Sequence, residues 1–253
     1  MTIVLSTNVF AIRAGRKSHT EPQRFHLELV DDLPDVPVLP ETLLQIELQR
    51  HEFSVDLHEV SRLILSDPGA TLQLLRLAAR EYGSSDGRPN RIEDCISDLG
   101  LDACLKAVGR QTILGDSRDR GVQEIWAHSR EVAQGCGSLA GVMAGWIRPD
   151  EAWLVGLTHM LGQLPAALGW QGFEDGARDW AARGLRLAEQ WSLPLCVHEF
   201  FAEMRNPAMK ARWSAIVCRA HQMAVVSSAM CPMCESAGPQ LCRHDSFSDP
   251  KPR

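Results

Sequence analysis

Three histidines set in apolar segments, and a cysteine cluster near the C-terminus, are the residues of this 253-residue sequence whose types and spacing could do chemistry. Trp126-Ala127-His128-Ser129 carries the first histidine. Gly156-Leu157-Thr158-His159-Met160-Leu161-Gly162-Gln163-Leu164 puts a second 31 residues on, and Arg219-Ala220-His221-Gln222-Met223-Ala224 supplies a third. Neutral imidazoles are good ligands for transition metals, so His128, His159 and His221 could hold such an ion. The competing reading is of core histidines satisfied by hydrogen bonds. Cys231-Pro232-Met233-Cys234 followed by Cys242-Arg243-His244 gives C-x2-C-x7-C-x-H, four donors within fourteen residues. A Cys-x2-Cys knuckle lets two thiolates reach one tetrahedral ion, so Cys231, Cys234, Cys242 and His244 form a candidate structural Zn²⁺ site. A redox pair and a tail of unligated thiols are the other readings of this cluster.

Elements that could position these residues read as helices. Leu43, Leu44, Ile46 and Leu48 lie on one helix, and Asp56-Leu57-His58-Glu59 has the form of a capping box opening a second. Asp67-Pro68 sets an N-cap and a first-turn proline for a third, with Leu72, Leu75 and Ala79 on one face. Ile92 to Leu99 forms a short helix stopped by Gly100, and Cys104, Leu105 and Val108 continue in another. Longer helical stretches follow at about 122–147, 150–164, 174–191, 194–204 and 208–229, with no alternating strand pattern. The expectation is an all-α fold. Residues 1–32 read as an extension, and the polar run Gly115 to Gly121 as a linker that divides 33–230 into halves at 33–118 and 119–230. Residues 231–253 read as a cysteine-rich tail.

In their order, the three histidine segments have the layout of the HD superfamily of metal phosphohydrolases. Joined to Leu33-Pro34 and Pro37, Leu63-Ile64, Ser66-Asp67-Pro68, Leu74-Leu75-Arg76-Leu77-Ala78 and Leu99-Gly100-Leu101, the chain resembles the HDOD family, the HD-related output domain of bacterial signalling proteins, over about 33–228. The resemblance implies an N-terminal helical bundle packed on a degenerate HD-like half. Active HD enzymes hold divalent metals with a first His, a His-Asp pair and a late Asp, and the ion's charge turns a bound water into a nucleophile. Here His128 and His159 match the two histidines, Met160 stands where the pair has Asp, and His221 stands near the late Asp. Gln163 occupies the place of a following Lys. Without those carboxylates the set suits Mg²⁺ or Mn²⁺ poorly. The family often has Asn-Ser where this chain has Ala79-Arg80.

The resemblance therefore implies a regulatory protein of signal transduction with no catalytic residues, no cofactor in the core, and signalling proteins as partners. A phosphohydrolase with a rearranged His site, and a zinc-tail module recruiting nucleic acid or protein, are the alternatives; nucleotide binding without hydrolysis is a variant. Composition narrows the field. The 26 Lys plus Arg against 32 Asp plus Glu give a net charge of −6, which disfavours nucleic acid as a partner. Hydrophobic residues at 45% provide ample core material. Ala152 to Phe173 carries no Asp, Glu, Lys or Arg, but its glycines, Pro165, Gln163 and His159 read as a core helix and its break rather than a membrane span. Cys95, Cys104, Cys136, Cys196 and Cys218 read as buried small hydrophobes in a reducing, cytoplasmic compartment. The seven tryptophans read as packing residues. Arg178, Arg183 and Arg186, interleaved with Glu174, Asp175, Asp179 and Glu189, read as a solvated helix face.

Overall fold

The computed structural model describes residues 36–50, 55–83, 91–109, 113–114, 120–142, 147–170, 179–206, 208–209, 211–224 and 231–235. The extension at 1–32, most of the linker at 115–121 and the tail beyond 235 lie outside the described residues. Within that set the fold is all-α, and the only β feature among the described residues is a parallel bridge between Val38 and Ile113.

Among the described residues the first half has five helices, several of whose ends follow local signals. Helix α1 (Pro40–Arg50) buries Ile46 and leaves Leu44 and Leu48 exposed. Asp56 caps α2 (Leu57–Leu65), accepting from the His58 and Glu59 N–H groups. Asp67 caps α3 (Pro68–Tyr82), the most deeply buried helix of this half. Its carboxylate accepts from Gly69 and Ala70, and also from Leu39 N–H at 2.8 Å, which fixes the entry to α1. Gly83 at φ +62° ends α3. Gly100, at φ +84°, separates α4 (Ile92–Leu99) from α5 (Leu101–Gly109), a backbone turn that favours glycine.

The second half is organised around α6 (Arg120–Val142), whose buried face runs through Val122, Ile125, Trp126, Ser129, Val132, Ala133, Cys136 and Ala140 at helical spacing. Helix α7 (Pro149–Thr158) packs along it. A bare Cβ at Gly156 would sit 2.7 Å from Ala133 Cα, so only glycine allows this approach. The expected helix over 150–164 breaks at Thr158. Thr158 Oγ1 and His159 Nδ1 turn back onto carbonyls of the preceding turn, and a 3₁₀ turn (Leu161–Gln163) leads into α8 (Leu164–Leu168). Then follow α9 (Trp180–Gln190), α10 (Leu195–Arg205), α11 (Trp213–Met223) and the short α12 (Pro232–Glu235).

The halves share one core. Arg76 of α3 stacks over the Trp191 ring at 4.4 Å, and Trp153 of α7 donates to the Leu65 carbonyl at 3.2 Å. Among the described residues no helix is long and apolar enough to cross a membrane.

Candidate metal centre

Each of the three histidines reaches the interior from a different element. His128 lies on the buried face of α6, His159 is the residue that ends α7, and His221 sits in the last turn of α11. Helix α11 comes close to α6 at Gly135, where an added Cβ would meet Ala220 Cβ at 3.0 Å. The histidine rings form a compact trio with centroids 4.8–5.2 Å apart. The resemblance to HD proteins orders the three along the chain as parts of one site, and the fold brings all three together.

A fourth donor joins them. Cys231, the residue before α12, is fully buried, and its Sγ stands 3.3 Å from His221 Nε2 and 3.8 Å from His159 Nε2. His128 Nε2 and His221 Nε2 are 3.1 Å apart, and one ligand atom from each of the four residues lies within 4.8 Å of every other. The cysteine knuckle read from the sequence thus divides differently: Cys231 faces the histidines of the core. Cys242 and His244 lie outside the described residues, as does the Cys234 side chain. His221 and Cys231 are ten positions apart in the sequence, and that spacing is the signal that the C-x2-C reading passes over.

Backbone carbonyls fix the tautomers of two rings. His159 Nδ1 bonds the Gly156 carbonyl at 2.6 Å and His221 Nδ1 bonds the Val217 carbonyl at 2.9 Å. A carbonyl only accepts, so each Nδ1 carries the proton and each Nε2 presents its lone pair to the cluster. Burial, followed by the neighbouring His221 and His128, holds His159 well below its ordinary pKa. Burial also lowers His221 to about 4, partly opposed by its bond to Val217. Both rings are therefore neutral at pH 7, the form in which imidazole ligates metal.

Among the described residues no carboxylate belongs to the group. Met160 is buried in the turn after His159, and Gln163 lies in the 3₁₀ turn. A set of three nitrogens and one sulfur suits a tetrahedral, borderline-soft ion and not an oxygen-seeking one.

Two further residues shape the site and escape sequence reading. Arg183 does not lie on a solvated face: it is buried, and its Nε–H donates to the Gly162 carbonyl at 2.9 Å, tying α9 to the turn that follows His159. Arg186 and Glu189 on the same helix are exposed, as expected, whereas Glu174, Asp175 and Arg178 lie outside the described residues. Glu203 of α10 caps α11 from outside it, accepting from Arg212, Trp213 and Ser214 N–H groups. It thereby sets the helix that carries His221.

Comparison with known proteins agrees with this architecture. The HDOD domain family matches residues 36–171. That span contains His128 and His159 and stops short of His221 and Cys231. The MmoQ response regulator of Methylococcus capsulatus has a similar structure, with a TM-score of 0.58 and 19% identity over 74% of this chain and 85% of that one. A second crystal structure of the same regulator, a fragment of residues 20–298, gives a TM-score of 0.54 and 18% identity over 83% and 94% of the two chains. No curated protein matches the chain.

Proposed function

This chain belongs to the HDOD family, and we propose on that premise that it is a non-catalytic regulatory protein acting in signal transduction through contacts with other proteins. The observation that carries the reading is the donor set of the buried cluster. Hydrolytic metal centres keep an open position for water, and the HD pattern holds its divalent cations with aspartates beside the histidines. Here three imidazoles and a thiol converge on one point, with a methionine and a histidine at the places where the resemblance to HD enzymes calls for aspartates. The fold neighbour named as a response regulator supports a signalling context. Leu44 and Leu48, one turn apart on α1 at 64% and 59% exposure, offer an apolar contact surface.

Turnover is the direct test. Phosphomonoesters, phosphodiesters and nucleoside triphosphates would be offered to the full chain with Mg²⁺, Mn²⁺ or Zn²⁺, beside His128→Ala. The expected result is no hydrolysis that distinguishes the two. Hydrolysis abolished by His128→Ala would overturn the reading. In cells, a photo-crosslinking side chain at Leu48 should trap a discrete protein adduct, and the same group at exposed Glu189 should not.

A further inference from the structure

We propose that His128, His159, His221 and Cys231 form a closed four-coordinate Zn²⁺ site that staples the segment at Cys231 to the helical core. This inference rests on the same donor set as the regulatory reading and can fail separately from it, since zinc content and turnover are measured apart.

The geometry comes first. In a tetrahedron with Zn–N of about 2.0–2.1 Å and Zn–S of about 2.3 Å, neighbouring ligand nitrogens stand about 3.3 Å apart and nitrogen stands about 3.6 Å from sulfur. The corresponding separations in the fold are 3.1 Å for His128 Nε2 to His221 Nε2, and 3.3 and 3.8 Å for Cys231 Sγ to His221 and His159 Nε2. Three of the six donor–donor separations thus match the edges of a zinc tetrahedron, and the other three lie within 4.8 Å.

The electrostatics point the same way. Because the Gly156 and Val217 carbonyls hold the Nδ1 protons of His159 and His221, the Nε2 lone pairs of both rings point inward toward the sulfur. The four donors lie within hydrogen-bonding reach of one another, and a cation at their common point would replace those contacts, with loss of the thiol proton, by four bonds. The carbonyls that orient the rings are the outer partners found around zinc-bound histidines.

Closure and sequence position define the role. Four protein donors leave no position for water or substrate, which is the hallmark of a structural ion rather than a catalytic one. Helix α12 has only four residues, too short to hold itself, yet Cys231 before it and Met233 within it are buried. A Zn–S bond adds a covalent-strength anchor to that packing. His221 and Cys231 lie beyond the family match at 36–171.

The test is zinc content of the full chain purified without chelator, compared with His159→Ala, Cys231→Ala and Cys234→Ala. About one zinc per chain is expected, lost in the first two variants and kept in Cys234→Ala. Replacement of zinc by Co²⁺ should give the intense visible bands of a four-coordinate ion and a thiolate-to-cobalt charge-transfer band that vanishes in Cys231→Ala. Circular dichroism of that variant should remain helical, separating lost ligation from lost folding. Chelation should speed amide exchange in a peptide covering residues 231–235 by about tenfold or more. The proposal is overturned by zinc retained in both His159→Ala and Cys231→Ala, by zinc lost only in Cys234→Ala, by a chain that takes up no added Zn²⁺, or by exchange at 231–235 that ignores chelation.

Discussion

The Glu203 carboxylate on α10 accepts from both the N–H and the hydroxyl of Ser214 on α11, each at 2.8 Å. The residue before α11, Arg212, makes no side-chain cap of its own, so the helix that carries His221 takes its cap from a neighbour eleven positions upstream of Ser214.

Removing that cap should be costly. Glu203→Ala leaves the N–H groups of Arg212, Trp213 and Ser214 without their acceptor, at about 2–3 kcal/mol. The urea midpoint of the variant should fall with an unchanged slope, and Glu203→Gln should recover part of the loss. A midpoint equal to that of the unmodified chain would show that water satisfies α11 as well as the carboxylate does.

Arg183 and Gly162 make the equivalent tie on the other side of the site. Arg183→Met removes the donor facing the Gly162 carbonyl and should cost about 1–3 kcal/mol. Gly162→Ala should cost more, because the new Cβ runs into the Trp180 backbone carbonyl, which no rotamer change can relieve. Thermal denaturation would rank the two. The reverse order would mean that α9 moves aside at little cost.

What the sequence makes legible here is what local chemistry determines. Asp56 and Asp67 cap the helices they precede, and Gly100 ends α4, because each signal acts within a turn or two of itself. The His128, His159 and His221 trio is visible because the HD pattern orders it along the chain. Partners distant in sequence are not visible. Arg183 carries the same charge as exposed Arg186, and only packing against the turn at Gly162 sends it inward. Cys231 has a nearer thiol at Cys234, so spacing pairs those two, whereas the fold places its sulfur against imidazoles 72 and 10 residues away. Leu44 and Leu48 fit a helical pattern, yet they stay exposed because α1 meets the core through Ile46.

Cys95, Cys104, Cys136 and Cys196 behave as the sequence suggests, as buried thiols, and their acidity makes that testable. Burial pushes each up to about 12, against about 8.5 for an unfolded thiol. Between those values the native state holds protons that the unfolded state releases. Their contribution to stability is full below about pH 8.5 and is lost as pH rises toward 12. The urea midpoint should therefore be level from pH 7 to 8 and fall increasingly steeply above. Cys136→Ala should start lower, because it leaves a cavity, and fall less steeply. Iodoacetamide at pH 8 should leave all four unmodified in the native chain and reach them in urea.

Gly156 links the architecture to the cluster. Its missing side chain lets α7 lie against the α6 backbone at Ala133, and that contact sets how far His159 stands from His128. An added methyl cannot rotate away, since the obstacle is backbone. Gly156→Ala should push the two helices apart at about 1–3 kcal/mol, and the shift should reach the ligand atoms because His159 is only three residues on. Zinc affinity should then fall together with thermal stability. Gly141, on α6 with open space where its Cβ would point, is the control. Gly141→Ala adds helix propensity without a clash and should raise stability by a few tenths of a kcal/mol up to about 1 kcal/mol, with zinc binding unaltered. If Gly156→Ala lost stability and kept full zinc affinity, the histidines would be set by α11 and the Cys231 segment rather than by the α6–α7 contact.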